Sequence, residues 1–365
     1  MMTALPPRSR RGAWLITGGA GFIGSNFVRA LCAAPPARLV VLDALTYAGN
    51  IANLRDLLDA RAVELVHADI RNAAHMIHVF ARFDVERVIH FAAETHVDRS
   101  IAGPQAFMET NVLGTMNLLR AAHEHWRRAR PGNLFLHVST DEVYGALSPT
   151  EPPFDEHRAY APNNPYAASK AASDHLVRTW HHTYGLPAIV TNCSNNYGPW
   201  QFPEKLIPLM ILNAIDGREL PVYGDGLQRR DWLHVLDHCE ALRAVLERGV
   251  AGNTYCIGGG EERSNIEIVA AICDLVDARL GRPQGTAHSL IRHVEDRPGH
   301  DRRYAIDSSK IGRALGWAPR RTLAAALPEI VDWYLTHADW VGNIRTGEYL
   351  RFYEAQYGQR LQATS

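Results

Sequence analysis

Long apolar runs are missing from this 365-residue chain. Nothing in it approaches the ~18 consecutive apolar residues that a membrane-spanning helix requires. An excess of one charge is missing too: Lys plus Arg is 38, Asp plus Glu is 39, and the formal net charge is −1. A dedicated nucleic-acid binder carries a basic footprint, so that class is excluded. Cysteine is scarce, and Cys32, Cys193, Cys239, Cys256 and Cys273 form no C-x-x-C pair. An odd, scattered set fits reduced thiols in the cytoplasm and not a disulfide framework. Internal repeats and low-complexity tracts are absent. Histidines do occur in pairs, such as His75 with His78 and His234 with His238. None has a third ligand at metal-site spacing, so no metal is expected.

What is present is a hydrophobic fraction of 46%, ordinary for a globular protein and incompatible with general disorder. At ~150 residues per domain there is room for about two domains. Residues 14–17, 39–42, 63–66, 85–93, 134–138 and 188–191 read as strands, and 105–128 and 166–184 as helices. Nearly continuous apolar strands joined by helices predict a Rossmann-like, doubly wound α/β fold with a parallel sheet covered on both faces. After Asn195 turn signals crowd in, among them Tyr197-Gly198-Pro199 and Gly258-Gly259-Gly260. The first domain is therefore placed at 12–196, with returns to its sheet near 231–257. A smaller mixed α/β substrate domain is placed at 197–230 and 258–340. The ends, 1–11 and 357–365, are expected to be flexible. Arg10-Arg11 is followed by too short an apolar run for an export signal.

Gly19-Ala20-Gly21-Phe22-Ile23-Gly24 is a G-x-G-x-x-G motif between the first strand and a helix, the context in which it binds dinucleotides. The glycines let the backbone approach a pyrophosphate, whose charge the helix N-terminal N–H groups receive. Asp43 ends the next strand, ~20 residues after Gly24. An acid there accepts from ribose hydroxyls and repels a 2′-phosphate, which points to NAD rather than NADP.

Tyr166 and Lys170 form Y-x-x-x-K, an i,i+4 pair on one helix face. A nearby ammonium is expected to lower the tyrosine pKa. Such a tyrosine takes a proton from a sugar hydroxyl while hydride leaves the same carbon. The preceding strand ends Ser139-Thr140-Asp141-Glu142. The Thr140 hydroxyl can hydrogen-bond the reacting oxygen. Two adjacent carboxylates are more than oxidation at one carbon requires, although an N-cap acid beside a solvated neighbour is the plainer reading. Adjacent acids raise one another's pKa, so one stays protonated near neutrality. A protonated acid beside an ionised base is what elimination of water demands.

Gly18-x-x-Gly21-x-x-Gly24 resembles the extended branch of the short-chain dehydrogenase/reductase superfamily. More specific are Leu45-Thr46-Tyr47-Ala48-Gly49-Asn50, His96-Val97-Asp98-Arg99-Ser100, Thr140-Asp141-Glu142, Asn192-Cys193-Ser194-Asn195-Asn196-Tyr197, Arg230-Asp231-Trp232 and Asp296-Arg297-Pro298-Gly299-His300-Asp301. On these stretches, residues 15–334 resemble the dTDP-glucose 4,6-dehydratases. The resemblance implies a homodimeric lyase of deoxysugar biosynthesis with tightly held NAD+. It places Gly18, Gly21, Phe22, Ile23, Gly24, Asp43, Ala44, Leu45, Thr46, Asp69, Ile70, Phe91, Ala92, Ala93, Thr95, Thr110, Tyr166, Lys170 and Asn195 at the cofactor. Thr95, Thr140, Asn195, Glu204, Lys205 and Leu206 are placed at the sugar and diphosphate. Arg230 is the implied diphosphate clamp, since guanidinium suits bidentate phosphate contacts. Pro221, Tyr223, Asn265, Arg297 and His300 are placed at the nucleoside.

The implied chemistry on dTDP-glucose starts with oxidation at C4, assisted by Tyr166. Glu142 then removes the C5 proton, Asp141 protonates the departing C6 hydroxyl, and hydride returns to C6. The competing readings are a 4-epimerase, which would not need Asp141 and Glu142, and a dehydratase for UDP- or GDP-sugars. A non-catalytic NAD-binding module would need none of Tyr166, Lys170, Asp141 and Glu142.

Overall fold

The computed structural model describes residues 12–127, 131–345 and 347–362. The leader at 1–11 and the last three residues of the tail lie outside them. The strands in chain order are β1 (Ala13–Thr17), β2 (Leu39–Asp43), β3 (Glu64–His67), β4 (Val85–His90), β5 (Leu134–Thr140) and β6 (Ala188–Cys193). They continue with β7 (Asn195–Tyr197), β8 (Leu220–Tyr223), β9 (Arg229–His234), β10 (Thr254–Ile257), β11 (Glu262–Ser264) and β12 (Ile291–Val294).

Seven strands form one parallel sheet in the order β10-β6-β5-β4-β1-β2-β3. β1 lies at the reversal, with Leu15 paired to Val40 on one side and Val88 on the other. The apolar runs suit this place, because a parallel sheet is buried on both faces. Leu15, Ile16, Val40, Val41, Val88 and Ile89 are all at 0% exposure. Helices Phe22–Cys32 and Val235–Arg248 pack Phe27, Val28, Val235 and Leu242 against one face. Helices Ala73–Phe83, Thr115–His125 and Pro165–Tyr184 pack Phe80, Leu118, Leu119 and Val177 against the other. Ligands of doubly wound folds bind at the carboxyl ends of the strands where the order reverses, here between β1 and β4.

The chain leaves this sheet after β6 and returns to it with β10. The remaining strands form a three-stranded sheet β11-β9-β7 and a parallel pair β12-β8. Helices Leu206–Asp216, Asn265–Arg279 and Leu323–Thr336 enclose a second core with Ile211, Ile272 and Val331 at its centre. All five cysteines are free thiols. Among the described residues, no helix is long and apolar enough to cross a membrane.

Two sequence expectations are corrected. The single helix expected at 105–128 is Pro104–Phe107, a wider π-helical stretch Met108–Gly114, and Thr115–His125, with Arg128 outside the described residues. Such stretches cluster at functional sites. Inside this one, the Asn111 side chain bonds both backbone groups of Glu94 and donates to Ser169 Oγ at 2.8 Å. The tail expected to be loose from 357 continues as helix through 362, with Tyr357 and Leu361 packed on the second core. Tyr357 is 5% exposed, and Gln356 and Arg360 donate to Tyr223 Oη at 2.6 and 2.7 Å.

Candidate active site

A deep crevice opens at the carboxyl ends of β1, β2, β4 and β5. Its floor is the turn after β1. Gly18 has φ +69, and a Cβ on Gly24 would meet Gly18 O at 2.2 Å, so both positions require glycine. Gly21 caps helix Phe22–Cys32 with no side-chain hydrogen bond. The first N–H groups of that helix are therefore left to face the crevice, where Gly21, Phe22, Ile23 and Gly24 line the wall. Open N–H groups and the helix dipole receive a diphosphate. Asp43 Oδ2 accepts from Ala20 N and Oδ1 from Leu45 N. Burial raises the Asp43 pKa against these two bonds. Ala44, Thr46, Asp69, Ile70, Phe91, Ala92, Ala93, Thr95, Thr110 and Asn195 also line the crevice. Leu45 does not: its backbone is left-handed at φ 50 and its side chain packs on the core. The backbone cradle, the open helix terminus and the carboxylate at the end of β2 fit a dinucleotide.

Helix Pro165–Tyr184 starts on a strong stop-and-go signal. Asn164 Oδ1 accepts from Ala167 N at 2.8 Å and Pro165 occupies the first turn, where its missing N–H costs nothing. Tyr166 and Lys170 therefore share the face that meets β5 and β6, and both line the crevice. Lys170 Nζ donates to Val138 O at 2.9 Å. The Tyr166 phenol is held well above its usual pKa by burial, with Glu142 adding to the effect. The expected lowering is thus overturned: burial and the neighbouring acids raise the phenol, and the Thr140 hydroxyl opposes them.

The chain turns at the end of β5, where Thr140 Oγ1 accepts from Glu142 N and donates to Asp141 Oδ1, both at 3.3 Å. Asp141 is 2% exposed and its Oδ2 has no hydrogen-bond partner. Burial, then Glu142 and Asp231, push its pKa well above the carboxylate range. Glu142 is half-buried and meets Asn164 Nδ2 at 3.5 Å. Thr140, Asp141, Glu142, Tyr166 and Lys170 thus converge on one wall of the crevice, a protonated acid beside a second carboxyl and a Tyr–Lys pair. That set can move protons at three neighbouring positions of a bound substrate.

Of the expected substrate residues, Thr95, Thr140, Asn195, Glu204, Lys205 and Leu206 line the same crevice. Lys205 Nζ donates to Thr95 O at 2.8 Å. Burial pushes Glu204 up to about 7; its buried Oε2 accepts no hydrogen bond and faces Arg99 Nε at 3.6 Å. Pro221, Tyr223, Arg230, Asn265, Arg297 and His300 do not line it. Pro221 and Tyr223 lie on β8, and Asn265 opens helix Asn265–Arg279. Arg297 pairs with Asp98 at 3.1 Å and lies over the Tyr223 ring at 5.8 Å. His300 is held by Asp296 at 2.6 Å. Arg230 donates to Arg229 O and Asp301 O and covers the Tyr304 ring at 4.3 Å. Its guanidinium is thus partly committed to the backbone, and its charge still bears on Glu142 and Asp141.

Sequence reasoning missed Tyr304, whose hydroxyl donates to Asp301 Oδ2 at 2.5 Å and whose phenol Glu142 helps hold up after burial. It also missed Arg71, which lines the crevice and is bound to Asp69 at 2.6 Å. The only signal for Arg71 is its place two residues after Asp69; Tyr304 has only Asp301 three residues before it, because Glu142 and Arg230, which bear on its phenol, are distant in sequence. Among the described residues, no group of three or more His, Cys, Asp or Glu side chains is arranged to hold a metal ion.

Comparison with known proteins agrees with this geometry. The GDP-mannose 4,6 dehydratase family model matches residues 15–330. The dTDP-glucose 4,6-dehydratase of Salmonella typhimurium is 51% identical over 359 residues, covering 95% of this chain and 99% of its own. That of Xanthomonas campestris pv. campestris is 54% identical over 341 residues, covering 92% and 97%. The dTDP-glucose 4,6-dehydratase of Streptomyces venezuelae, solved with NAD and TDP bound, superposes with a TM-score of 0.83 at 46% identity. That superposition covers 90% of this chain and 98% of the other. On crevice, acid pair and likeness together, this chain belongs to the dTDP-glucose 4,6-dehydratase family of the extended short-chain dehydrogenase/reductase superfamily.

Proposed function

We propose that this chain is a hydro-lyase that converts dTDP-glucose into dTDP-4-keto-6-deoxyglucose with NAD+ regenerated in every cycle. The observation that carries this reading is the Asp141–Glu142 pair: a buried acid with a free oxygen, beside a half-buried carboxyl, in reach of Tyr166 and Lys170. Oxidation at one carbon needs only the tyrosine and lysine. The extra acid and base are what removal of water adds.

The turn 18–24, Asp43 and the walls at 69–71 and 91–95 hold the dinucleotide. NAD+, when bound, supplies a hydride acceptor for C4 and a donor for C6. Tyr166 takes the C4 hydroxyl proton, oriented by the Thr140 hydroxyl and supported by the Lys170 ammonium. The resulting ketone acidifies the C5 hydrogen, and Glu142 takes that proton. Asp141 gives its proton to the C6 hydroxyl, and water leaves. Return of a proton from Glu142 to C5 completes the product and restores Glu142; Tyr166 gives up the proton it gained and Asp141 takes one up, by exchange with solvent, which restores that pair.

Residues 12–196 with the returns near 231–257 form the cofactor domain, and 197–230 with 258–340 the nucleotide-sugar domain. Glu204, Lys205 and Asn195 meet the sugar and diphosphate, with Arg230 contributing charge from behind. Pro221, Tyr223, Asn265, Arg297 and His300 serve the nucleoside end. The five free cysteines support a location in the reducing cytoplasm. Exposed Leu113 and Tyr184, at 48% and 52%, support a homodimer through the helices that carry them.

The test is turnover of dTDP-glucose in deuterated water, read by mass spectrometry and NMR. Loss of one water with deuterium at C5 and no net consumption of NAD+ is expected. Unchanged mass with inversion at C4 would make the chain an epimerase and overturn the reading.

A further inference from the structure

Behind the Tyr166–Lys170 face lies a polar layer that the proposed chemistry does not use. Asp174 follows Lys170 by one turn of helix Pro165–Tyr184, so Tyr166, Lys170 and Asp174 share one stripe. All three are buried, Asp174 at 0% and Lys170 at 4% exposure. Asp174 Oδ2 accepts from Asn192 Nδ2 at 3.0 Å and Tyr160 Oη at 2.8 Å. Its Oδ1 lies 3.1 Å from His137 Nε2. The His137 ring lies 5.2 Å from that of His90, which is held by Thr17 Oγ1 at 2.7 Å and Thr115 Oγ1 at 2.9 Å. The layer thus runs from β1 to β6 under the catalytic helix, sealed from the crevice.

The charges in this layer close on two residues. Lys170 faces Asp174 on its own helix, Cys193 on β6, His137 on β5 and His90 on β4. Burial keeps Cys193 a neutral thiol and both imidazoles uncharged, with His137 lowered to about 4. Asp174 faces His137, Lys170, Ser139, Asn192 and the phenols of Tyr160 and Tyr144, which burial keeps neutral. Arg178 reaches it only through Tyr160 Oη, at 2.8 Å. Burial pushes the Asp174 carboxyl up, yet His137 and Lys170 outweigh it and hold it ionised. Burial lowers the Lys170 pKa and Asp174 opposes that shift; without this counter-charge the buried ammonium would lose its proton.

We infer that Asp174 is a positioning residue for the reaction: it is the buried counter-charge that keeps Lys170 an ammonium beside Tyr166. The inference rests on the roles proposed for Tyr166 and Lys170. It acts through Lys170 and not through contact with substrate, since Asp174 does not line the crevice.

The test compares Asp174→Asn, Lys170→Met and the double variant as NAD-loaded enzymes, by pH profiles of kcat, by KM and by Tm. Asp174→Asn is expected to lower kcat at neutral pH by ~10-fold or more and to move its acidic limb up by about one pH unit or more. The limb moves up because a deprotonated Lys170 no longer favours the Tyr166 phenolate. KM should stay within about twofold, and the double variant should be no slower than Lys170→Met. An unmoved limb in folded Asp174→Asn, or losses that multiply in the double variant, overturns the inference alone. A Lys170→Met enzyme of full activity overturns the functional reading and this inference with it. If Asp174→Asn does not fold, the double variant decides: recovery of a cooperative transition supports the buried pair, since removing both charges relieves the unpaired ion. A double variant no better folded than Asp174→Asn overturns it.

Discussion

Asp141 and Glu142 are chain neighbours in opposite surroundings. Asp141 is 2% exposed with an oxygen that no donor reaches, whereas Glu142 is half-buried and meets Asn164 Nδ2 at 3.5 Å. Burial pushes the Asp141 carboxyl well above its usual pKa, which suits it to the proton-donor role proposed for it.

Replacing Glu142 by Gln should separate the two halves of the reaction. Turnover to the 4-keto-6-deoxy product should fall at least ~100-fold, the usual worth of a general base. Reduction of bound NAD+ on mixing with dTDP-glucose should survive, read by the near-ultraviolet absorbance of the reduced nicotinamide. Full dehydratase turnover in this variant would remove Glu142 from the mechanism.

Glu204 should make the protein lose stability as pH rises. Burial raises its pKa from 4.5 to about 7 in the folded state. The stabilising effect of its neutral form is complete below about 4.5 and lost as pH passes through about 7. The loss corresponds to roughly 3 kcal/mol. Urea denaturation of the parent and Glu204→Gln across this range should show the parent declining more steeply than the variant. Asp231, raised to about 6 by burial, is common to both and cancels in the comparison.

Asp43→Asn should weaken the preference for NAD over NADP by about tenfold or more, because it removes the charge that repels a 2′-phosphate. Equilibrium titration of apoenzyme with each dinucleotide checks this. An unchanged ratio would reduce Asp43 to its bonds with Ala20 N and Leu45 N.

Gly24→Ala should be destabilising by about 1–3 kcal/mol. Its Cβ would stand 2.2 Å from Gly18 O and 2.8 Å from Gly19 Cα, backbone atoms that cannot swing away. Chemical denaturation and the amount of dinucleotide that copurifies should both fall together.

The cofactor crevice and the catalytic helix were legible in the residues because their determinants are local. A strand, a glycine turn and a helix start within one short stretch place Gly18, Gly21 and Gly24, and the i,i+4 rule places Lys170 over Tyr166. The nucleoside cluster was less legible. Tyr223, Arg297 and His300 were named from a resemblance, yet they stand outside the crevice and under a C-terminal segment whose Gln356 and Arg360 bind Tyr223. No pattern near Tyr223 announces partners so far along the chain.

By itself the sequence determined the parallel sheet, the dinucleotide turn, the acid at the end of β2 and the identity of the five catalytic candidates. Each follows from hydrophobic periodicity, glycine stereochemistry or helix spacing. Only the tertiary structure decided which carboxyl burial pushes up, which way the Tyr166 phenol is shifted, and that Asp174 is buried on the same helix stripe as Lys170. Those outcomes depend on desolvation and on charges brought close by folding, such as Asp231 beside Asp141 and His137 beside Asp174. Such partners are separated in sequence by whole strands and helices, and their energies exist only once water has been excluded between them.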